Sequence, residues 1–187
     1  MPGARLQQKE KGAHGLIIVY TGDGKGKTTA AIGLAFRALG RGWKVLMIQF
    51  GKGSWHYAEL DTAERLKPDF EIIPLGIGFY KILDDHHTEQ EHRAAAQRAL
   101  EFSRQQLRAG KYDLIILDEV NGVVAAGLLP VEALLGLIDE KPEDLNLVLT
   151  GRSAAPEVIA RADLVTEMRE IKHPYQSGYL AQKGIDY

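Results

Sequence analysis

The segment Thr21-Gly22-Asp23-Gly24-Lys25-Gly26-Lys27-Thr28-Thr29 combines glycines, lysines and hydroxyls in a spacing suited to holding a polyphosphate. Glycines let successive backbone N–H groups converge on an anion, and the N-terminus of a following helix adds partial positive charge. Lys27 can reach phosphate oxygens, and Thr28 can offer its hydroxyl to a divalent cation. The common nucleotide loop places four residues between its glycines. Here Gly22 and Gly26 enclose three, so the loop is one residue tighter and Thr21 stands in the first glycine's place. Asp23 brings an anion to an anion site, which suits it to face metal, ribose or a backbone donor rather than phosphate. The expected nucleotide-binding set is Gly22, Asp23, Gly24, Lys25, Gly26, Lys27, Thr28 and Thr29. The bland alternative, a glycine-rich turn with incidental lysines, is disfavoured by an apolar run directly before the segment and an amphipathic one directly after it.

A second candidate is the apolar run Asp113-Leu114-Ile115-Ile116-Leu117-Asp118-Glu119, which ends in two carboxylates. In hydrolytic nucleotide enzymes such an Asp assists Mg²⁺ while a following Glu polarises water. Alone, the pair reads more readily as a helix N-cap; beside the glycine loop, the catalytic reading gains. Asp118, Glu119 and Thr28 are the expected metal ligands, with the choice between the two acids open. His86, His87 and His92 lie near Asp84, Asp85, Glu89 and Glu91, but no two of these histidines have the i, i+4 spacing of a zinc helix, so they read as a solvated helix start. Trp43, Trp55 and Tyr57 read as packing residues or loop anchors. Phe79 and Tyr80 follow a strand in a glycine-containing loop, a position for either a ligand wall or a lid.

Elements that can hold these groups follow from periodicity. Short continuous apolar runs, as in strands buried on both faces, alternate with longer amphipathic stretches. The expected strands are Gly15–Thr21, Lys44–Phe50, Phe70–Leu75, Asp113–Asp118, Asn146–Thr150 and Leu164–Arg169. The clearest helices are Lys27–Leu39, stopped by Gly40 as a C-cap, and Thr88–Ala109, opened by Thr88 with Glu91 three residues on and closed by Gly110. Alanine-rich Arg93–Leu100 is good helix. Strands joined by crossover helices give an α/β class: a three-layer αβα nucleotide-binding fold with a mostly parallel central sheet and ligands beyond the strands' carboxyl ends.

With 187 residues, 45% hydrophobic and 26% charged, the composition fits one globular domain. The expected division is a polar N-terminal tail, residues 1–14, and a single domain, residues 15–187. A formal charge of −2, from 23 Lys+Arg against 25 Asp+Glu, gives no basic excess for nucleic acid. The absence of cysteine removes disulfides, thiolate metal sites and thiol nucleophiles. Met1–His14 has no apolar core of a signal peptide, and the longest apolar run, Gly122–Val131, falls short of the ~18 residues of a membrane span. A cytoplasmic protein that binds neither nucleic acid nor membrane is expected.

These residues resemble the P-loop type of ATP:corrinoid adenosyltransferases, over nearly the whole chain. The short loop Thr21–Ala31, Gln49-Phe50 with Lys52-Gly53, Gly78-Phe79, Leu117-Asp118-Glu119 and Thr150-Gly151-Arg152 carry the likeness. So does the tail, through Ala162–Met168, Lys172-His173, Gly178, Ala181-Gln182 and Gly184-Ile185-Asp186-Tyr187. The resemblance implies a P-loop fold with a RecA-like sheet. It also implies a reaction in which a cobalt(I) corrinoid attacks the 5′ carbon of ATP and inorganic triphosphate leaves, with Mg²⁺ or Mn²⁺ on Thr28 and Glu119. Lys27, Thr28 and Glu119 are then the catalytic set, and ATP lies across the loop in a reversed sense. Phe79 matches an aromatic that strips the lower axial ligand from cobalt(II). Lys81 stands where some relatives carry a tryptophan, leaving Tyr80 as the second aromatic for the corrinoid. A homodimer and a reduced flavoprotein donor are further implied. The residues alone leave open a kinase or ATPase acting on the γ-phosphate, or a nucleotide-gated switch or DNA-partition protein.

Overall fold

The continuous apolar runs pair as a sheet in the computed structural model, which describes residues 14–53, 56–81 and 85–186. The strands are β1 (Ile17–Thr21), β2 (Val45–Gln49), β3 (Phe70–Pro74), β4 (Leu114–Asp118), β5 (Asn146–Thr150) and β6 (Leu164–Glu167). They lie in the order β3-β2-β4-β5-β1-β6, and every pair is parallel. All five residues of β2 and of β4 are buried, which is why these strands read as unbroken apolar runs.

Alternate side chains feed two cores. Val19, Leu46, Ile48, Ile115, Leu117 and Leu149 face one side, covered by α3 (Glu89–Ala109), α4 (Val120–Ala125), α5 (Val131–Asp139) and α6 (Pro156–Arg161). Ile18, Val45, Met47, Leu114, Ile116 and Val148 face the other, against Ala31, Ala35 and Ala38 of α1 (Lys27–Leu39) and Ala63 of α2 (Ala58–Leu66). The small residues of α1 let it lie close across the centre of the sheet. Ala95, Ala96 and Ala99 do the same for α3.

Thr88 caps α3 as its spacing predicts: Thr88 Oγ1 accepts from Glu91 N at 3.3 Å, while Thr88 N donates to Glu91 Oε2 at 2.7 Å. Gly110 follows at φ 61°. Gly40 is the C-cap of α1, as its position predicts, and its N–H donates back to the last turn. It keeps a right-handed conformation, φ −62°, and the left-handed turn falls at Gly42, φ 74°, because the chain continues for one more tight turn before β2. The short helices α2, α4, α5 and α6 lack the long periodic signal that marks α1 and α3. The expected tail lies outside the described residues except for His14, whose Nδ1 is 3.2 Å from Glu143 Oε1. Trp55, Asp84 and Tyr187 also lie outside them.

Strand order places the chemistry. β5 lies between β1, which ends in the glycine loop, and β4, which ends in the two acids. Three segments therefore emerge side by side at the carboxyl edge: Gly22–Thr29, Thr150–Arg152 and Asp118–Glu119. No described helix is long and apolar enough to cross a membrane.

Candidate active site

The glycine loop is held from its outer side by the chain leaving β6. Met168 N donates to Thr21 O at 2.8 Å, and Gly24 N donates to Met168 O at 2.7 Å. Gly22 takes φ 93°, and a Cβ there would stand 2.4 Å from Met168 O, so this glycine is demanded by the neighbouring backbone as well as by any phosphate. Gly26 is the N-cap of α1 at φ 114°, and no side chain caps the helix. Lys27, the first helical residue, is 6% exposed and its Nζ donates to Gly22 O at 2.7 Å and to Gly24 O at 2.9 Å. Burial lowers its pKa, with Arg152 adding to the effect and Glu119, Asp23 and Asp118 opposing it. Asp23 is exposed on the cavity wall beside this ammonium.

Behind the loop, Asp118 is wholly buried. Its Oδ1 accepts from Thr28 Oγ1 and from Thr150 Oγ1, each at 2.8 Å, while its Oδ2 is buried with no hydrogen-bond partner among the described residues. Desolvation pushes its pKa up, against the Lys52 charge and the two hydroxyls, which pull it down. Glu119 occupies the N-cap position of α4 at φ 63°, but its side chain caps nothing. Its backbone N donates to Thr150 Oγ1 at 2.9 Å, and its carboxylate turns into the cavity instead of capping the helix. Its pKa is raised by burial and then by Asp118, with Lys27, Arg152 and Lys52 countering.

One cavity of about 870 Å³ gathers these groups. Asp23 through Thr29, Glu119, Phe79 and Tyr80 line it; Gly22 and Asp118 support it from behind. Phe79 is 41% exposed. A Cβ on Gly51 would lie 3.4 Å from Phe79 Cε1 and 3.1 Å from Glu119 Cβ, so ring and acid flank the same glycine.

Several lining residues carry the resemblance but were not singled out as site residues: Lys52, Arg152 and the tail around Ile185. Lys52 is buried, pairs with Glu59 and lies 4.2 Å from the Tyr57 ring centroid. Tyr57, expected as a packing residue or loop anchor, also lines the cavity. Lys25 pairs with Asp186, which lays the tail across the loop. Each follows a strand's carboxyl end or folds back to one, the placement rule that would have found the first two.

His92 is a correction. His86 and His87 are exposed, but His92 is 4% exposed, with Nε2 2.9 Å from Asp85 Oδ1 and its ring edge-on to Tyr80 at 5.2 Å. Asp85 also accepts from Lys81 N and His87 N, so it ties the aromatic loop to α3. No group of three or more potential His, Asp or Glu metal ligands converges among the described residues.

A family model described as ATP:corrinoid adenosyltransferase BtuR/CobO/CobP matches residues 13–187. The corrinoid adenosyltransferase of Escherichia coli K12 is 36% identical over 184 residues, 98% of this chain and 91% of its own length. That of Salmonella typhimurium LT2, CobA, is 34% identical over the same shares. That of Pseudomonas aeruginosa is 36% identical over 173 residues, 92% of this chain and 84% of its own. Among solved structures, the flagellar accessory protein FlaH of Methanocaldococcus jannaschii superposes with a TM-score of 0.56 over 82% of this chain and 71% of its own, at 15% identity, a likeness of fold alone. On the match of its whole described length, the chain belongs to the ATP:corrinoid adenosyltransferase family.

Proposed function

We propose that this protein transfers the 5′-deoxyadenosyl group of ATP to the cobalt(I) of a corrinoid and releases inorganic triphosphate, in the synthesis or salvage of adenosylcobalamin. The observation that carries the reading is the exposed Phe79 ring set beside Glu119, in the same cavity as the phosphate loop. A phosphate hydrolase needs no apolar wall there; a corrinoid face does. Residues 15–187 act as one domain, supported by the single sheet that all described strands share.

In this reading the electron pair of cobalt(I) forms the bond to C5′, and the C5′–O bond breaks with its pair going to the α-phosphate oxygen. The nucleophile arrives with its substrate, which suits a chain without cysteine. The protein's task is positioning and charge stabilisation. Gly22, Asp23, Gly24, Lys25, Gly26, Lys27, Thr28 and Thr29 bind ATP, and Lys27 leaves its carbonyl partners for the phosphates. Phe79 and Tyr80 meet the corrinoid.

The residues fit a hard divalent cation, Mg²⁺ or Mn²⁺. Thr28 gives its proton to Asp118 and so keeps its lone pairs for a metal, and the orphaned, buried Oδ2 of Asp118 calls for a cation or its hydration water. Thr28 and Glu119 would hold the ion and Asp118 would orient them; when bound, it would neutralise phosphate charge. A homodimer, a reduced flavoprotein donor and a cytoplasmic setting are carried by the family resemblance alone, and light scattering tests the first. Incubation with Mg-ATP and chemically reduced corrinoid tests the reaction. Adenosylcorrinoid and triphosphate are expected, whereas ADP and phosphate without a cobalt–carbon product would overturn it.

A further inference from the structure

We propose that Arg152 is a further catalytic residue, its guanidinium holding the triphosphate as that group departs. This assignment rests on the transfer reaction proposed above.

The lysines and arginine that line the cavity are Lys25, Lys27, Lys52 and Arg152. The first three are engaged: Lys25 with Asp186, Lys27 with two loop carbonyls, Lys52 with Glu59. Arg152 makes no hydrogen bond or ion pair with any described residue. A guanidinium is the strongest charge-assisted donor a protein has, and its planar fork matches phosphate oxygens.

The backbone around it is built to hold it there. Gly151 takes φ 130° and Ser153 takes φ 52°, so Arg152 stands between two residues in the left-handed region, one of them not glycine. Such conformations persist only where the surroundings enforce them. Here Gly151 N donates to Tyr20 O at 3.2 Å and Ala154 N donates to Thr21 Oγ1 at 3.0 Å, pinning the segment to the end of β1. On its other side α4 presses close: a Cβ on Gly151 would lie 2.6 Å from Gly122 N. The turn is clamped between the phosphate-loop strand and the acid-bearing segment. The Arg152 charge is felt on both sides, adding to the depression that burial imposes on Lys27 and countering the rise that burial imposes on Glu119.

Chemistry gives this cation its use. When the C5′–O bond breaks, the leaving oxygen keeps the electron pair and the triphosphate gains one negative charge that ATP lacks. A donor already in place and bound to nothing else stabilises that charge without giving up a protein partner.

The test compares Arg152→Gln and Arg152→Lys with the wild type, by Mg²⁺-dependent binding of ATP and of inorganic triphosphate in calorimetry, and by turnover with preformed cobalt(I) corrinoid. An exposed, unpartnered side chain predicts unchanged melting for both variants. Arg152→Gln is expected to lose at least about tenfold in kcat and in triphosphate affinity, with a smaller loss for ATP, and Arg152→Lys to fall between. Triphosphate affinity and kcat within about twofold of wild type in both variants would overturn the assignment, as would equal weakening of ATP and triphosphate with kcat unchanged. Should Arg152→Gln fail to fold, Arg152→Lys decides on the same ratio of triphosphate to ATP affinity. Wild-type turnover separates the two claims. A wild type that forms no adenosylcorrinoid overturns the proposed function, whereas an active wild type matched by its variants overturns only the role of Arg152.

Discussion

Thr150 joins both acids, and replacing its hydroxyl by a methyl in Thr150→Val keeps the volume while removing two interactions. Thr150 is fully buried; its Oγ1 donates to Asp118 Oδ1 at 2.8 Å and accepts from Glu119 N at 2.9 Å. A hydrogen bond to a charged group contributes about 1.5–3 kcal/mol, and a buried N–H left without an acceptor costs about 1–3 kcal/mol. Because Glu119 is only partly buried and water can reach some of the loss, the combined effect is about 2–4 kcal/mol. At roughly 2–4 °C per kcal/mol for a chain of this size, the melting temperature falls by about 5–15 °C. Differential scanning calorimetry measures it, with Thr150→Ser as the control that keeps the hydroxyl and melts within a few degrees of wild type. The same variant loses turnover, because Asp118 retains only Thr28 as a donor and the left-handed start of α4 at Glu119 loses its anchor. A Thr150→Val protein that melts with the wild type and turns over at its rate would refute the reasoning.

Lys27→Ala is expected to abolish transfer by at least about a hundredfold while circular dichroism stays native, since the ammonium serves phosphate charge rather than core packing; unchanged turnover contradicts it. For Phe79→Ala, a larger loss is expected when turnover starts from cobalt(II) with a flavin reductant than from preformed cobalt(I). Equal losses would make Phe79 a packing residue only. Asp85 is held down to about 2, first by its hydrogen bond with His92 and then by the backbone donor of Lys81. Its contribution to stability is therefore present above the ordinary carboxylate pKa of ~3.9 and is lost as pH falls from there through about 2. Asp85→Asn flattens the fall of denaturation free energy across that acid window, and an unaltered slope would show that the Asp85–His92 pair does not anchor the aromatic loop.

The central strands β2 and β4 were legible because burial on both faces leaves short, nearly unbroken apolar runs, and all their residues are buried; the edge strand β6, exposed throughout, was read from its place in the alternation instead. Helix α3 was legible through Thr88 and Glu91, whose reciprocal bonds are local. The phosphate loop was legible because strand, glycines and helix lie within a few residues of one another. What escaped depends on contacts distant in sequence or on strain. Helix α4 starts at a left-handed Glu119, for which no residue type signals. His92 is buried because Asp85 folds back onto it, which periodicity in α3 does not reveal. Lys25 and Asp186 meet across 161 positions, and the role of Gly22 in making room for Met168 depends on β6 pairing with β1. Asp118 and Glu119 read as interchangeable in sequence. Burial separates them, the first sealed behind Thr28 and Thr150, the second open to the cavity.

The most direct test of adenosyl transfer is a single turnover with ATP carrying ¹³C at the 5′ position, chemically reduced corrinoid and Mg²⁺, followed by ¹³C and ³¹P NMR. The account predicts that the label moves into a cobalt-bound carbon while inorganic triphosphate appears in equal amount. Label retained in ADP, with free phosphate as the other product, would contradict it.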